Sequence, residues 1–282
     1  MKKQQLGFVI VGLVVAGLLY FAGNTNTPKS ADGPSKAPQA AAEQSVTTET
    51  ILAKAKLKIN PEQAQRIALL ENAVVRGDVK IQQLHVFHQL ARFWADSAHI
   101  FEPYAYYTAE SAKLENSEKS LTFAAQLFLD NLLTEGEPAM QNWLGKNAKV
   151  LLDKALEINP TNDSTKIGLG ICYMFGNISN NPMEGILEVR KVVQAHPENL
   201  YGQMVLGMGG KKSGQYDKAI ERFNLVLQKQ PENLEAIFNL AECFELKGDK
   251  TNAIKWYQIA KQLVKVPEAK LALDKRIIEL GK

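Results

Sequence analysis

The sequence predicts an all-α protein built from helical hairpins stacked as a repeat array, and three observations carry that expectation. Pro197-Glu198-Asn199-Leu200 recurs 34 residues later as Pro231-Glu232-Asn233-Leu234. The landmarks that follow keep step, with Leu206, Ala219 and Phe223 answering to Leu240, Ala253 and Tyr257. Gly214-Gln215 and Gly248-Asp249 interrupt both copies at matching places. A fixed period of this length marks an array in which each hairpin buries its apolar face only against its neighbours.

Taken from the start of the chain, Met1-Lys2-Lys3 precedes an apolar run from Leu6 to Ala22 that holds no charge. This is the short limit for a helix that spans a bilayer. A cleaved secretory signal has a similar charged start and apolar middle. Cleavage wants small residues one and three positions before the cut, and the candidate sites after Ala22 and Gly23 place Tyr20 and Phe21 at the earlier position. Residues 1–23 therefore read as an uncleaved membrane anchor in preference to a signal. The lysines place the N-terminus in the cytoplasm and the remaining chain across the membrane. Residues 24–45, with Pro28, Pro34 and Pro38 among small and polar residues, lack the apolar material to fold and read as a flexible linker.

Residues 46–83 carry two further amphipathic helices, the second opening at Asn60-Pro61-Glu62 with a cap, a first-turn proline and an acid at the positive helix end. Residues 84–267 then hold about five hairpin units. In the first, Leu90-Ala91 and Trp94 precede Ala105, Ala109 and Ala112, and Ser117 replaces the closing proline. In the second, Leu121, Ala124-Ala125 and Phe128 precede Ala148, Leu152, Ala155 and Pro160, with an insertion around Thr134 to Asn142. The third has Leu169-Gly170 and Tyr173, then Gly185, Val189, Val192 and Pro197, with about three extra residues between Asn177 and Pro182. The fourth and fifth are the copies described above. Small residues at Ala219 and Ala253 let helix axes approach while large neighbours fill the remaining volume. The run 268–282 has the pattern of a capping helix over the last unit.

On these landmarks the chain resembles the tetratricopeptide repeat family. Its pattern of aromatic, Leu-Gly, Tyr, then Ala, Phe, Ala and Pro is met by Leu206-Gly207, Ala219, Phe223 and Pro231, and by Leu240-Ala241, Phe244, Ala253, Tyr257 and Ala260. One departure is Gly210, where the family places an aromatic. The resemblance implies a right-handed α-solenoid whose first helices line a concave face that takes a peptide. Carried over by register, the groove candidates are Ile167, Ile171, Met174, Tyr201, Met204, Met208, Lys211, Lys212, Phe238, Glu242 and Glu245. Members that clamp the carboxylate of a chaperone tail use lysine and asparagine, where this chain has Ile167 and Ile171, so that specialised role is not expected.

Composition restrains the functional reading. Of the formal net charge of +3, Lys2, Lys3, Lys29 and Lys36 against Asp32 and Glu43 place +2 before Val46, which leaves no case for nucleic acid. Cys172 and Cys243 stand at corresponding places two units apart, beyond bridging distance, and read as buried free thiols. His85 and His88 share a helical face, but no third metal ligand has convincing spacing. Gly209-Gly210-Lys211-Lys212-Ser213-Gly214 lacks the leading glycine of a phosphate loop and reads as a helix end running into a turn. No catalytic arrangement, cofactor or metal is expected. The expected function is a membrane-anchored scaffold or adaptor that binds a protein or peptide outside a bacterial cytoplasm. The alternative is an envelope factor that presents client polypeptides for cytochrome maturation or outer-membrane assembly.

Overall fold

The computed structural model describes residues 46–76 and 79–282. The expected anchor and linker, residues 1–45, lie outside the described residues. Among those described there are thirteen α-helices and no strand, and no helix is long and apolar enough to cross a membrane. The helices fall into two compact units, one reaching to Val192 and the other running from Val193 to Lys282.

In the first unit, α1 (Thr48–Lys56) starts at a reciprocal cap in which Thr47 and Thr50 each accept the other's backbone N–H. Asn60 caps α2 (Pro61–Arg76) by accepting from the Gln63 N–H at 2.9 Å. Next come α3 (Lys80–Arg92), which runs into a π-helical turn at Phe93–Ser97, and α4 (Phe101–Glu115). Their core gathers Ile67, Leu90, Phe93, Trp94 and Tyr107. The Tyr107 hydroxyl donates to Glu71, which also takes Lys56 from α1. The next hairpin is α5 (Glu118–Leu132) and α6 (Pro138–Ile158). Ser117, standing in for the closing proline, is the α5 cap and accepts from the Ser120 N–H.

The insertion expected around Thr134 to Asn142 is a loop only as far as Glu137. Pro138 fits the first turn of a helix, Glu137 accepts the Ala139 and Met140 N–H groups, and the added residues lengthen α6 to 21 residues. The extra length is anchored by Trp143, which packs edge-on against Phe128 and donates through Nε1 to Thr48 of α1 at 3.0 Å.

The third hairpin pairs α7 (Asp163–Phe175) with α8 (Met183–Ala195), whose residues up to Val192 belong to this unit. Gly170 and Gly185 meet where the two helices cross. A Cβ built on Gly185 would lie 2.3 Å from the Gly170 carbonyl oxygen, and one on Gly170 would lie 2.3 Å from a Val189 methyl.

The second unit holds α9 (Leu200–Lys212), α10 (Tyr216–Lys229), α11 (Leu234–Leu246), α12 (Lys250–Leu263) and α13 (Pro267–Leu280). The repeated Pro-Glu-Asn-Leu is a start signal. Asn199 accepts the Gly202 N–H and Asn233 the Ala236 N–H, both at 2.9 Å. The matching stop signals are Gly214 and Gly248, at φ +74 and +85, a region glycine enters without strain. Ala219, Phe223, Leu240, Ala253 and Tyr257 are all buried in one core, and α13 closes it with Ala269 and Leu273.

Cys172 and Cys243 are buried and free, one in each unit. Burial pushes both thiols up to about 12. Alkylation of the native protein near neutral pH should therefore run roughly a thousandfold slower than that of an exposed thiol, because the thiolate is the reactive form. Both cysteines should label at once in denaturant, and rapid labelling of the native chain would contradict the packing described here.

Candidate peptide-binding face

In the second unit the first helices of two successive repeats lie side by side and present matching stripes. On α9 the stripe runs through Tyr201, Met204, Met208 and Lys211, at steps of three, four and three that keep one helical face. On α11 it runs through Phe238, Glu242 and Glu245. These residues do not share one environment. Met204 is buried, while Met208 and Phe238 are half-buried and pack against the unit's core with part of their surface left open. Tyr201 is also half-buried, and Lys212 stands exposed at the end of α9, with desolvation lowering its pKa.

The charged residues at the other end of the stripe are spoken for. The Lys211 ammonium donates to Asn239 and Glu242 of α11, both at 2.5 Å. Glu245 accepts from the Tyr257 hydroxyl of α12 at 2.9 Å and from the Arg276 guanidinium of α13. Burial and the adjacent Glu245 carboxylate push the Tyr257 hydroxyl far up, so it stays a donor. The two networks are one device repeated. Lys211 and Glu245 occupy the same repeat position, 34 residues apart, as do Glu242 and Arg276, and each pair bridges 31 residues. The sign of the charge alternates along the row, so α11 offers two carboxylates, one to a cation on α9 and one to a cation on α13. The apolar part of the face is thus bordered by charges that neutralise each other.

Ile167, Ile171 and Met174, expected in the groove, are buried on α7 in the other unit. The run from Ile167 to Phe175 has no charged residue, and α7 is covered on most sides: Gly168 abuts Leu129 and Leu152, Gly170 abuts Val189, and Thr165 and Cys172 are buried as well. A stripe chosen by register alone cannot distinguish a groove-facing side from a covered one on such a helix. Three partners escaped the sequence reading: Asn239, Tyr257 and Arg276. The signal for Arg276 was present in the repeat, since a charge at one position and its opposite 31 residues on recurs one period later.

His88 lies 3.1 Å from Glu115 and His85 bonds Gln89, and among the described residues no group of three or more His, Cys, Asp or Glu side chains is placed to hold a metal. Gly209 to Lys212 form the last turn of α9.

Residues 210–277 match a family model described as a domain of unknown function, DUF6340. Among solved structures the chain is similar to a MamA protein at 15% identity, covering 64% of this chain and 91% of that chain with a TM-score of 0.42. It is similar to MamA 41-end from Desulfovibrio magneticus RS-1 at 20% identity, with 66% and 96% covered and a TM-score of 0.44. A third similar structure is YrrB, described as a TPR protein with an unusual peptide-binding site, at 15% identity, with 73% and 97% covered and a TM-score of 0.43. These likenesses are of low identity, and the functional reading rests on this chain's own residues.

Proposed function

We propose that the chain is a non-enzymatic scaffold whose second unit captures a peptide or helix of a protein partner on the face formed by α9 and α11. The observation that supports this is the group Tyr201, Met208 and Phe238, three large side chains left partly open on adjacent repeat helices. Aromatic anchors tend to dominate peptide capture, and methionine adapts its shape to the guest. Because Lys211 and Glu242 satisfy each other at the border, the guest is held by apolar contact, and its binding depends little on salt. The apolar run Leu6 to Ala22 holds the scaffold at a bacterial inner membrane, with the N-terminus in the cytoplasm and the repeats in the periplasm.

Crosslinking in intact membranes followed by capture of the full chain identifies the partner, and mutation then locates it. Replacing Tyr201 and Phe238 together by alanine should abolish capture while helical content and thermal stability stay close to the parent. Loss of fold along with capture would make these rings core residues, and retained capture by a folded double variant would place the partner elsewhere.

A further inference from the structure

Helix α13 turns one face inward and leaves the other without a partner among the described residues. Inward, Ala269 and Leu273 are buried, Asp274 takes Lys261, and Arg276 takes Glu245 and Glu279. Outward, Glu268, Leu271, Lys275 and Ile278 are all exposed and follow one another at steps of three, four and three, the spacing of a seam between two helices. Leu271 is 69% exposed and Ile278 62%, high values for two large apolar residues on one helix face. Glu268 and Lys275 form no ion pair or hydrogen bond with the described residues. Seven residues apart on one helix, they are also too distant to pair with each other.

We propose that this face docks a second copy of the same chain, the two α13 helices lying antiparallel about a two-fold axis. The charge pattern selects this occupant. Reversed against itself, the row Glu268, Leu271, Lys275, Ile278 sets Leu271 of each copy opposite the Lys275 stem of the other. It sets Ile278 opposite Glu268 and brings each Glu268 carboxylate beside the Lys275 ammonium of the second copy. One self-complementary patch thereby makes each apolar contact and the single Glu268–Lys275 ion pair twice, as an isologous contact requires. A single helix from each copy buries well under the area of a stable dimer, so the association is weak and is read by trapping.

The test uses the full chain in membranes with Leu271→Cys as reporter and a short bismaleimide, the two native thiols being buried. Dimer should form well above a control with the cysteine at Lys229, exposed on α10. Adding Lys275→Glu should cut the yield several-fold, because two carboxylates then face each other, and Glu268→Lys with Lys275→Glu should restore it. These charges are exposed, so folding is unaffected by the exchange. Yield no higher than the Lys229 control, crosslinks to other proteins alone, or failure of the double reversal to restore the dimer would each overturn the proposal.

Discussion

Gly185→Ala should destabilise the first unit by roughly 1 to 2 kcal/mol, although the same change in an open helix would be favourable. An alanine in place of a helical glycine gains about 1 kcal/mol from backbone entropy and propensity. Here the added carbon would sit 2.3 Å from the Gly170 carbonyl oxygen, 2.9 Å from the Tyr173 Cβ and 3.0 Å from the Met174 Cγ. The first obstacle is backbone, which a rotamer change cannot remove, so α8 must move away from α7 and uncover Val189, fully buried between them. Overpacking of this kind costs roughly 1 to 3 kcal/mol and occasionally more, which outweighs the propensity gain. Gly136→Ala supplies the internal control. Among the described residues nothing lies within 4 Å of a Cβ built there, and its effect should stay within about 0.5 kcal/mol. Thermal melts followed by circular dichroism compare the two variants, and equal melting temperatures would show that α7 and α8 do not approach so closely.

The repeat was legible where its chemistry is local. Asn199 and Asn233 cap their helices, Gly214 and Gly248 end theirs at positive φ, and Ala219 and Ala253 are buried at the close approaches. Each of these follows from what one residue type does to its own backbone. The site was legible only in part, because exposure is a property of the neighbours. Ile171 and Phe238 look equally suited to a groove in the sequence, yet the first is enclosed on a helix covered on most sides and the second keeps an open surface. Lys211, Glu242 and Glu245 were assigned to recognition by register alone, from their places on the first helices. Their opposite charges lay one repeat away, so the reading needed partners as well as positions. The longer α6 has a similar cause: a count of residues between landmarks cannot tell a loop from extra helical turns, whereas Glu137-Pro138 at its start does.

In the second unit the largest effect is expected at Phe223, and its coupling to Gly207 tests the packing directly. Phe223 is fully buried, and Phe223→Ala should cost about 3 to 5 kcal/mol through lost transfer energy and the cavity left behind. Its ring lies against a bare glycine, with a Cβ at position 207 falling 2.5 Å from Cε1, 2.8 Å from Cζ and 3.0 Å from Cδ1. Gly207→Ala alone should then cost about 2 kcal/mol, since an enclosed ring has no free rotamer to adopt. Phe223→Leu removes the far ring atoms that the new methyl would meet. The double variant should therefore be more stable than the sum of the singles by roughly 1 kcal/mol, within the usual range for residues in contact. The next repeat sets a bound on the effect. One period on, Ala241 and Tyr257 occupy the corresponding positions, and both are buried with the methyl present. A ring and a methyl are thus compatible once the helices are spaced for them, which keeps the cost of Gly207→Ala below that of deleting the ring. Additive single effects in the cycle would place Phe223 away from position 207 and refute this packing.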